Sequence, residues 1–352
     1  MKNYTLKLNG LVYSKRDFRN LHIANEPEYS WRNAIYHFLK SWFDDSDFIS
    51  SKTSGSTGKP KDIKLFKQSM INSALMTNQF FGLTAESIAL LSLPASYIAG
   101  KMMLVRAMVG GYNLLSVEPK ANPFIGLSES IDFGSITPYQ LFHSFDTLKE
   151  KTIKNIIVGG GHVNSKLETI AQTIPASMYE TYGMTETCSH VALRCINREK
   201  KSDYFTVLKG VIISHDERGC LAIEAPHLLS EEIQTNDIVE MIDSNSFRWL
   251  GRADSAINTG GIKVHPEQIE KKLENFININ FFISSLPDEV LDRKVILVLE
   301  SDQFSKEKET LLKSQIESCL SKYEIPKKIF YVPHFAYSAS NKILQSETLK
   351  RI

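Results

Sequence analysis

The feature that most constrains the fold is an alternation of short apolar runs with longer amphipathic segments over the first two hundred residues. Residues 88–93 form an apolar run that ends at Pro94, and residues 155–158 form another that runs into three glycines. Short apolar runs bounded by proline or glycine are typical of buried strands, whereas apolar residues spaced three and four apart are typical of helices. This alternation predicts an α/β fold, with a mostly parallel sheet and helices on its faces. Helical patterns are predicted at residues 31–42, 70–81, 102–109 and 166–173.

The pattern changes after about residue 204, where short strand signals follow one another between turns. We predict that these strands form a small antiparallel β subdomain; they fall at residues 210–214, 221–224, 238–242 and 247–250. Beyond residue 251 helix and strand signals alternate again, as in a separate α+β unit. The sequence therefore predicts two domains, 1–252 and a smaller, mobile 253–352, with a boundary near residues 252–254.

Charge and composition exclude several classes of protein. The chain of 352 residues has 41 Lys and Arg against 40 Asp and Glu, which disfavours a nucleic-acid binder held by bulk positive charge. Its longest uncharged stretch, residues 87–100, contains a proline and is shorter than the roughly 20 apolar residues of a membrane span. The N-terminus has no apolar signal region, and the four cysteines form no C-x-x-C pair. We expect a cytoplasmic enzyme without a structural metal.

The most informative segment is a glycine-rich loop with four hydroxyl side chains, two glycines and two lysines in nine residues. Glycines let backbone N–H groups converge on an anion, while hydroxyls and lysines add donors and charge. A Walker loop is excluded, because it needs glycine at the first position and a hydroxyl after the lysine, where proline stands here. A flexible linker is the alternative, but Lys-Pro-Lys beside the glycines disfavours it. The proposed phosphate-binding residues are Thr53, Ser54, Gly55, Ser56, Thr57, Gly58, Lys59 and Lys61.

The run T-S-G-S-T-G-K-P-K resembles the phosphate-loop signature of the acyl-adenylating superfamily, which includes acyl-CoA synthetases, peptide-synthetase adenylation domains and luciferases. The resemblance implies that ATP, with magnesium, activates a carboxylate as an acyl-adenylate and releases pyrophosphate. A thiol such as coenzyme A then takes the acyl group and AMP leaves. It also implies that the large AMP-binding domain is shortened before the loop in this chain.

A second segment, Y-G-M-T-E, matches the same superfamily 121 residues after the loop. An aromatic ring beside a glycine suits stacking on adenine, so Tyr182 is predicted to bind the base. Thr185 is predicted to donate to the α-phosphate, and Glu186 to hold magnesium on the phosphate oxygens. A solvated turn glutamate is the alternative for such a motif taken alone.

Two further segments resemble nucleotide-binding motifs of the superfamily. Gly159, Gly160 and Gly161 match a loop that lies along adenine and the acyl group, although an ordinary strand-to-helix turn would look the same. Asp237 matches the carboxylate that accepts the two ribose hydroxyls. Asn236 precedes it where glycine is usual, and asparagine also enters left-handed backbone conformations.

The last motifs concern the C-terminal unit. Gly251-Arg252-Ala253-Asp254 resembles a segment that would give Arg252 a ribose or phosphate contact and make Asp254 the hinge between domains. The resemblance places Gly260 and Gly261 in a thiol-entry tunnel that forms when the small domain rotates.

Near the C-terminus, Lys342 resembles the lysine that reaches the α-phosphate and the carboxylate during adenylation. Asn341 stands where the superfamily has glycine. A solvated tail lysine is the alternative for Lys342, and the matching motif spacing favours the catalytic role.

The segment L-P-A-S-Y-I-A-G resembles a superfamily motif in which Tyr97 replaces the usual histidine. Arg106 lies nine residues later, as in the 2-succinylbenzoate–CoA ligases of menaquinone synthesis. A substrate with a second carboxylate needs a fixed cation, because a buried unpaired charge is costly. The alternative for Arg106 is a surface residue of an amphipathic helix. Alternative functions are another aryl- or acyl-CoA ligase, an enzyme that loads a carrier domain, and a nucleotide-binding relic without activity.

Overall fold

The computed structural model describes residues 4–19, 30–52, 62–337 and 343–352. From residue 4 to residue 252 the chain forms β1 (Leu6–Leu8), β2 (Leu11–Tyr13), α1 (Lys15–Arg19), α2 (Trp31–Trp42), β3 (Phe48–Lys52), β4 (Asp62–Phe66), α3 (Lys67–Phe81), β5 (Ile88–Leu91), α4 (Ile98–Gly110), β6 (Asn113–Ser116), β7 (Ile131–Ile136), α5 (Pro138–Lys149), β8 (Ile153–Val158), α6 (Ser165–Gln172), β9 (Ser177–Gly183), β10 (His190–Cys195), β11 (Phe205–Val207), β12 (Ile212–His215), β13 (Cys220–Glu224), β14 (Ile233–Asp243) and β15 (Ser246–Arg252). From residue 257 it forms β16 (Ile257–Thr259), β17 (Ile262–Val264), α7 (Pro266–Leu273), β18 (Phe281–Asp288), β19 (Asp292–Glu300), α8 (Lys306–Cys319), β20 (Lys328–Val332) and α9 (Gln345–Leu349).

A parallel ladder forms the centre of the molecule. Strands β1, β6, β5, β7, β8 and β9 lie side by side in that order, and each pairs in parallel with the next. Successive side chains of β5 point to opposite faces, so Ala89 and Leu91 pack with α3 and α4, whereas Leu90 packs with α5 and α6. The predicted α/β fold with helices on both faces of the sheet is confirmed.

The antiparallel strands continue the same hydrogen-bonded sheet. β10 pairs antiparallel with β9, and beyond it β11, β15, β14, β13 and β12 complete a sheet of thirteen strands in the described chain. At the opposite edge, β1 and β2 form a hairpin whose two-residue turn is Asn9-Gly10, with φ of 50° and 82°; this dipeptide favours a type I′ turn.

A second sheet begins after Arg252. It has the order β17-β16-β19-β18, and β20 pairs in parallel with β19. The Ser165 backbone N–H at the start of α6 donates to Glu274 at 2.8 Å and so joins the second part of the chain to the first. Within the second part, the Ser255 hydroxyl donates to Glu267 at 2.6 Å.

Several element boundaries differ from the sequence predictions. α4 begins at Ile98, four residues before the predicted start. The prediction missed this start because α4 is buried on almost every side, so its apolar residues show no helical period that would mark where the helix begins. β3, β4 and β7 were missed, since serine, lysine and aspartate interrupt their apolar pattern. Among the described residues, no helix combines the length and apolar character that a membrane crossing requires.

The start of α4 depends on a close backbone approach at Gly100, where a Cβ atom would lie 2.3 Å from the Pro94 carbonyl oxygen. We expect Gly100→Ala to lower the free energy of unfolding by about 1–3 kcal/mol, because backbone must move to admit the methyl group. Gly134→Ala is the matched control, since nothing lies within 4 Å of its Cβ position. Urea unfolding followed by circular dichroism measures both, and equal stability of the two variants would contradict the packing argument.

Candidate functional site

The motifs predicted from sequence meet at one edge of the parallel ladder. β5, β8 and β9 run in the same direction, so the loops after their carboxyl ends lie at the same edge. Tyr97 follows β5 and Gly159 follows β8, whereas Tyr182 is the second-last residue of β9. In open α/β sheets this edge is where ligands bind.

A carboxylate clamp forms around Asp237, which lies on β14 opposite Arg252 of β15. The Tyr182 hydroxyl donates to Oδ2 of Asp237 at 2.6 Å, and the Trp249 indole N–H donates to Oδ1 at 3.2 Å. Nη1 of Arg252 lies 3.8 Å from Oδ1. The structure therefore brings together three residues predicted to bind nucleotide and adds Trp249. Each carboxylate oxygen has a second lone pair, which leaves Asp237 able to accept a diol.

The Tyr182 ring is held by two phenylalanines. Its centroid lies 5.1 Å from that of Phe247 and 5.8 Å from that of Phe205, both at steep angles. Burial, and next the charge of Asp237, raise the pKa of the Tyr182 hydroxyl above its usual range, so it stays a donor to the carboxylate.

The three glycines form the turn between β8 and the start of α6. A Cβ on Gly159 would lie 2.5 Å from the Thr181 hydroxyl, and Gly160 has a φ of +81°. His162, which follows them, places its Nδ1 3.2 Å from the buried carboxylate of Glu180 and its ring 5.9 Å from that of Trp249. His162 and Trp249 were not identified from sequence, although each flanks a recognised motif.

Thr185 and Glu186 lie in the turn after β9, and the Glu186 carboxylate is exposed. Within the described ranges, no group of three or more His, Cys, Asp or Glu side chains could hold a metal ion. Magnesium that arrives with a nucleotide takes most of its ligands from phosphates and water, so one exposed carboxylate fits it.

Arg106 is buried, with 1% of its surface exposed. Its Nη2 donates to the Ser189 hydroxyl at 2.5 Å and its Nη1 lies 3.6 Å from the Met103 sulfur, while its Nε has no partner in the described structure. Burial lowers the pKa of Arg106 to about 10. The alternative prediction, that Arg106 is a surface residue of an amphipathic helix, is therefore wrong.

The groups around Arg106 are polar but neutral. The His190 ring is buried, with Nδ1 3.3 Å from the Ser189 hydroxyl and Nε2 3.3 Å from the Thr77 hydroxyl. Burial, and next the charge of Arg106, lower the pKa of His190 well below its usual value. No carboxylate of the described residues pairs with the guanidinium, so the arrangement favours an anionic ligand.

Tyr97 and Arg106 do not form one cluster on α4. Tyr97 is the N-cap residue of the helix and is 52% exposed. Nine residues of helix separate the two Cα atoms by about 13 Å along the axis. Of the two, only Arg106 therefore contacts Ser189.

The residues predicted as hinge and tunnel lie at the start of the second sheet. Arg252 holds the Asp254 carboxylate through two hydrogen bonds of 2.8 Å, which keep the pKa of Asp254 below its usual value. Gly260 and Gly261, with φ of +59° and +79°, form the two-residue turn between β16 and β17.

Two groups of predicted site residues lie outside the described residues. They are the phosphate loop, residues 53–61, and the proposed catalytic lysine with its neighbour, Asn341 and Lys342. β3 and β4 pair with Lys52 opposite Asp62, so the strands that flank the loop in sequence meet as a hairpin.

Known proteins resemble this chain over most of its length. The 2-succinylbenzoate–CoA ligase of Geobacillus sp. (strain WCH70) is 24% identical over 340 residues, which cover 87% of this chain and 69% of that enzyme. The enzyme of the same name from Staphylococcus epidermidis is 24% identical over 320 residues, which cover 83% and 67%. The structure of o-succinylbenzoate CoA synthetase from Bacillus subtilis with an acyl-adenylate intermediate superposes with a TM-score of 0.73 at 20% identity, covering 85% and 68%, and shares the fold.

A solved structure from Dyadobacter fermentans DSM 18053, described as an acyl-CoA synthetase (AMP-forming)/AMP-acid ligase II-like protein, is more similar in sequence. It is 34% identical, with a TM-score of 0.62, over 96% of this chain and 98% of that one. The family model of AMP-binding enzymes matches residues 52–217, which contain the phosphate loop, the three glycines, Tyr182 and Glu186. Motifs, geometry and similarity agree, and the chain belongs to the AMP-binding enzyme family of AMP-forming acyl-CoA synthetases.

Proposed function

We propose that this protein is an ATP-dependent acid–thiol ligase that activates a dicarboxylic aryl acid, 2-succinylbenzoate, and transfers it to coenzyme A. The observation that carries the substrate class is the buried Arg106 guanidinium, which has a serine hydroxyl and a thioether beside it but no carboxylate among the described residues. Ser189, its partner, lies three residues after Glu186. A second carboxylate of the substrate would therefore pair with Arg106 while the reacting carboxylate lies toward the nucleotide. The names of the relatives support the same acid.

In the first half-reaction a carboxylate oxygen attacks the α-phosphorus of ATP. A bond forms between the carboxylate oxygen and the α-phosphorus. The bond between the α-phosphorus and the oxygen that bridges to the β-phosphate breaks, and pyrophosphate leaves with that electron pair. Asp237 would accept the ribose hydroxyls, with Tyr182 and Trp249 fixing the direction of its oxygens. Thr185, Lys342 and the loop lysines Lys59 and Lys61 would stabilise charge on the phosphate oxygens. Magnesium bound with ATP supplies further neutralising charge, and Glu186 would hold it.

In the second half-reaction the coenzyme A sulfur attacks the acyl carbon. A carbon–sulfur bond forms, the bond between that carbon and the adenylate oxygen breaks, and AMP leaves. The mixed anhydride makes this step possible, because AMP is a better leaving group than an oxide.

The proposal includes two domains, 1–252 and 253–352, with Asp254 as the hinge. The first sheet ends at Arg252 and the second begins at Ile257, so Asp254 lies between them. Arg252, the last residue of the first sheet, binds the Asp254 carboxylate through two hydrogen bonds. Rotation there would withdraw Lys342 after adenylation and bring the Gly260-Gly261 turn to the thiol path.

Replacement of Arg106 tests the substrate class. We expect Arg106→Gln to raise the KM for 2-succinylbenzoate about 10- to 100-fold, because a charge-assisted hydrogen bond to the acid is lost. The KM for ATP should stay unchanged. Steady-state assays of pyrophosphate release measure both constants.

Arg248→Gln is the matched control, since Arg248 forms an exposed ion pair with Glu240 and should change neither constant. An equal effect of Arg106→Gln on 2-succinylbenzoate and on an analogue without the second carboxylate would reject the assignment.

Replacement of Lys342 separates the two half-reactions. Lys342→Ala should lose adenylation by several orders of magnitude and still convert supplied acyl-adenylate and coenzyme A to thioester, since the lysine acts only on the first transition state. Lys350→Ala, which breaks an exposed pair with Glu347, is the control and should retain both steps. Parallel loss of both half-reactions in Lys342→Ala is incompatible with the role assigned here.

A further inference from the structure

A second buried cation lies on α4. Lys101 is 8% exposed, and its ammonium donates to the Ser50 carbonyl oxygen at 3.2 Å and lies 3.5 Å from the Ser51 hydroxyl. A lysine ammonium has three donors, so these two partners on β3 leave capacity for one more acceptor. Its neighbours on the helix, Met102 and Met103, are apolar and buried.

No carboxylate among the described residues forms an ion pair with Lys101, and both of its partners are neutral. Burial lowers the pKa of Lys101, and no acid of the described residues offsets that effect. A folded-state pKa below the unfolded value means that the charged lysine lowers the free energy of unfolding at neutral pH. This cost decreases as pH rises through the folded-state pKa and is gone above the unfolded pKa. A residue that costs stability and is not paired within the fold is a candidate for ligand binding.

Lys67 provides the contrast in the same part of the molecule. It is 1% exposed, yet its ammonium pairs with the Asp44 carboxylate at 2.8 Å. It follows β4 at the end of the hairpin where Phe48 pairs with Phe66. Lys101 contacts the opposite half of β3, near its last residues Ser50 and Ser51. Among the described residues, one buried lysine is therefore neutralised by a carboxylate, and the other is not.

The surroundings of Lys101 increase its positive potential. Lys101 is the fourth residue of α4, a helix of thirteen residues whose N-cap, Tyr97, makes no side-chain capping bond. Helical side chains lean toward the N-terminus, where the helix dipole is positive. α4 itself follows the carboxyl end of β5, the edge at which the other candidate binding residues lie.

Arg106 and Lys101 face different partners. Five residues of helix correspond to about 500°, so the two side chains leave α4 about 140° apart. Arg106 meets Ser189 after β9, whereas Lys101 meets β3. The two cations therefore lie on different sides of α4, and Lys101 is separate from the proposed acyl-binding residue Arg106.

We propose that Lys101, with Ser50 and Ser51, forms a phosphate-binding subsite that receives the polyphosphate of the nucleotide. This inference rests on the proposed function and extends it to a residue that no motif singled out. The ammonium contacts the end of β3 and gives its free donor to a phosphate oxygen. Phosphate binding then supplies the counter-charge that Lys101 does not receive from the described residues.

Binding of inorganic tripolyphosphate and of ATP to the full chain tests the subsite by isothermal titration calorimetry. We expect Lys101→Met to weaken both ligands at least tenfold, with the KM for the carboxylate unchanged. Lys101→Arg, which keeps the charge, should recover part of the affinity. The thermal midpoint of Lys101→Met should equal or exceed that of the wild type, because an unpaired buried charge is removed.

Lys67→Met is the matched control: it removes a buried but paired ammonium, and should lower the thermal midpoint while the folded protein binds tripolyphosphate as the wild type does. Unchanged tripolyphosphate affinity in Lys101→Met, beside a wild type that binds it, overturns the subsite and leaves the proposed function standing. A changed KM for the carboxylate alone also overturns it. A wild type that binds neither tripolyphosphate nor ATP overturns both proposals together.

Discussion

The parallel pairing of β5, β7, β8 and β9 is the constraint on which the candidate site depends. Parallel strands place all their carboxyl ends at one edge of the sheet, so the strand direction alone brings loops far apart in sequence close together. The last antiparallel strands add to the same sheet through β9 and β10, and thereby carry Asp237 to the Tyr182 hydroxyl across 55 residues of chain. A sheet broken between β9 and β10 would separate Tyr182 from Asp237, the residues proposed to bind the base and the ribose.

Two buried positive charges lie on α4, the helix that follows β5 at that edge of the sheet. The net charge of the whole chain is only +1, but α4 carries two buried cations that no carboxylate of the described residues neutralises. Buried arginine and lysine elsewhere in the described structure are paired, as Arg194 is with Glu180 and Glu168, and Lys67 with Asp44. The difference is consistent with α4 being an element whose positive charge is completed by ligands and not by the fold.

The sequence predicted the elements whose apolar period is regular and the residues that lie in contiguous motifs. α2 was predicted with its observed limits, because its apolar residues keep one face; the structure adds that Ser30 caps its first turn. The burial of Arg106 could not be predicted, since α4 is apolar on every side and periodicity then gives no direction. Trp249 was also missed, because its contact with Asp237 depends on the register of β14 against β15, which local sequence does not specify.

The central claim is that the chain activates a carboxylate through an adenylate, and carboxylate-dependent exchange of labelled pyrophosphate into ATP tests it most directly. The account predicts exchange with 2-succinylbenzoate and magnesium in the absence of coenzyme A, much slower exchange with an analogue that lacks the second carboxylate, and thioester formation once coenzyme A is added. ATP binding without any carboxylate-dependent exchange, across a panel of aryl and alkyl acids, would contradict it and identify a nucleotide-binding protein without ligase activity.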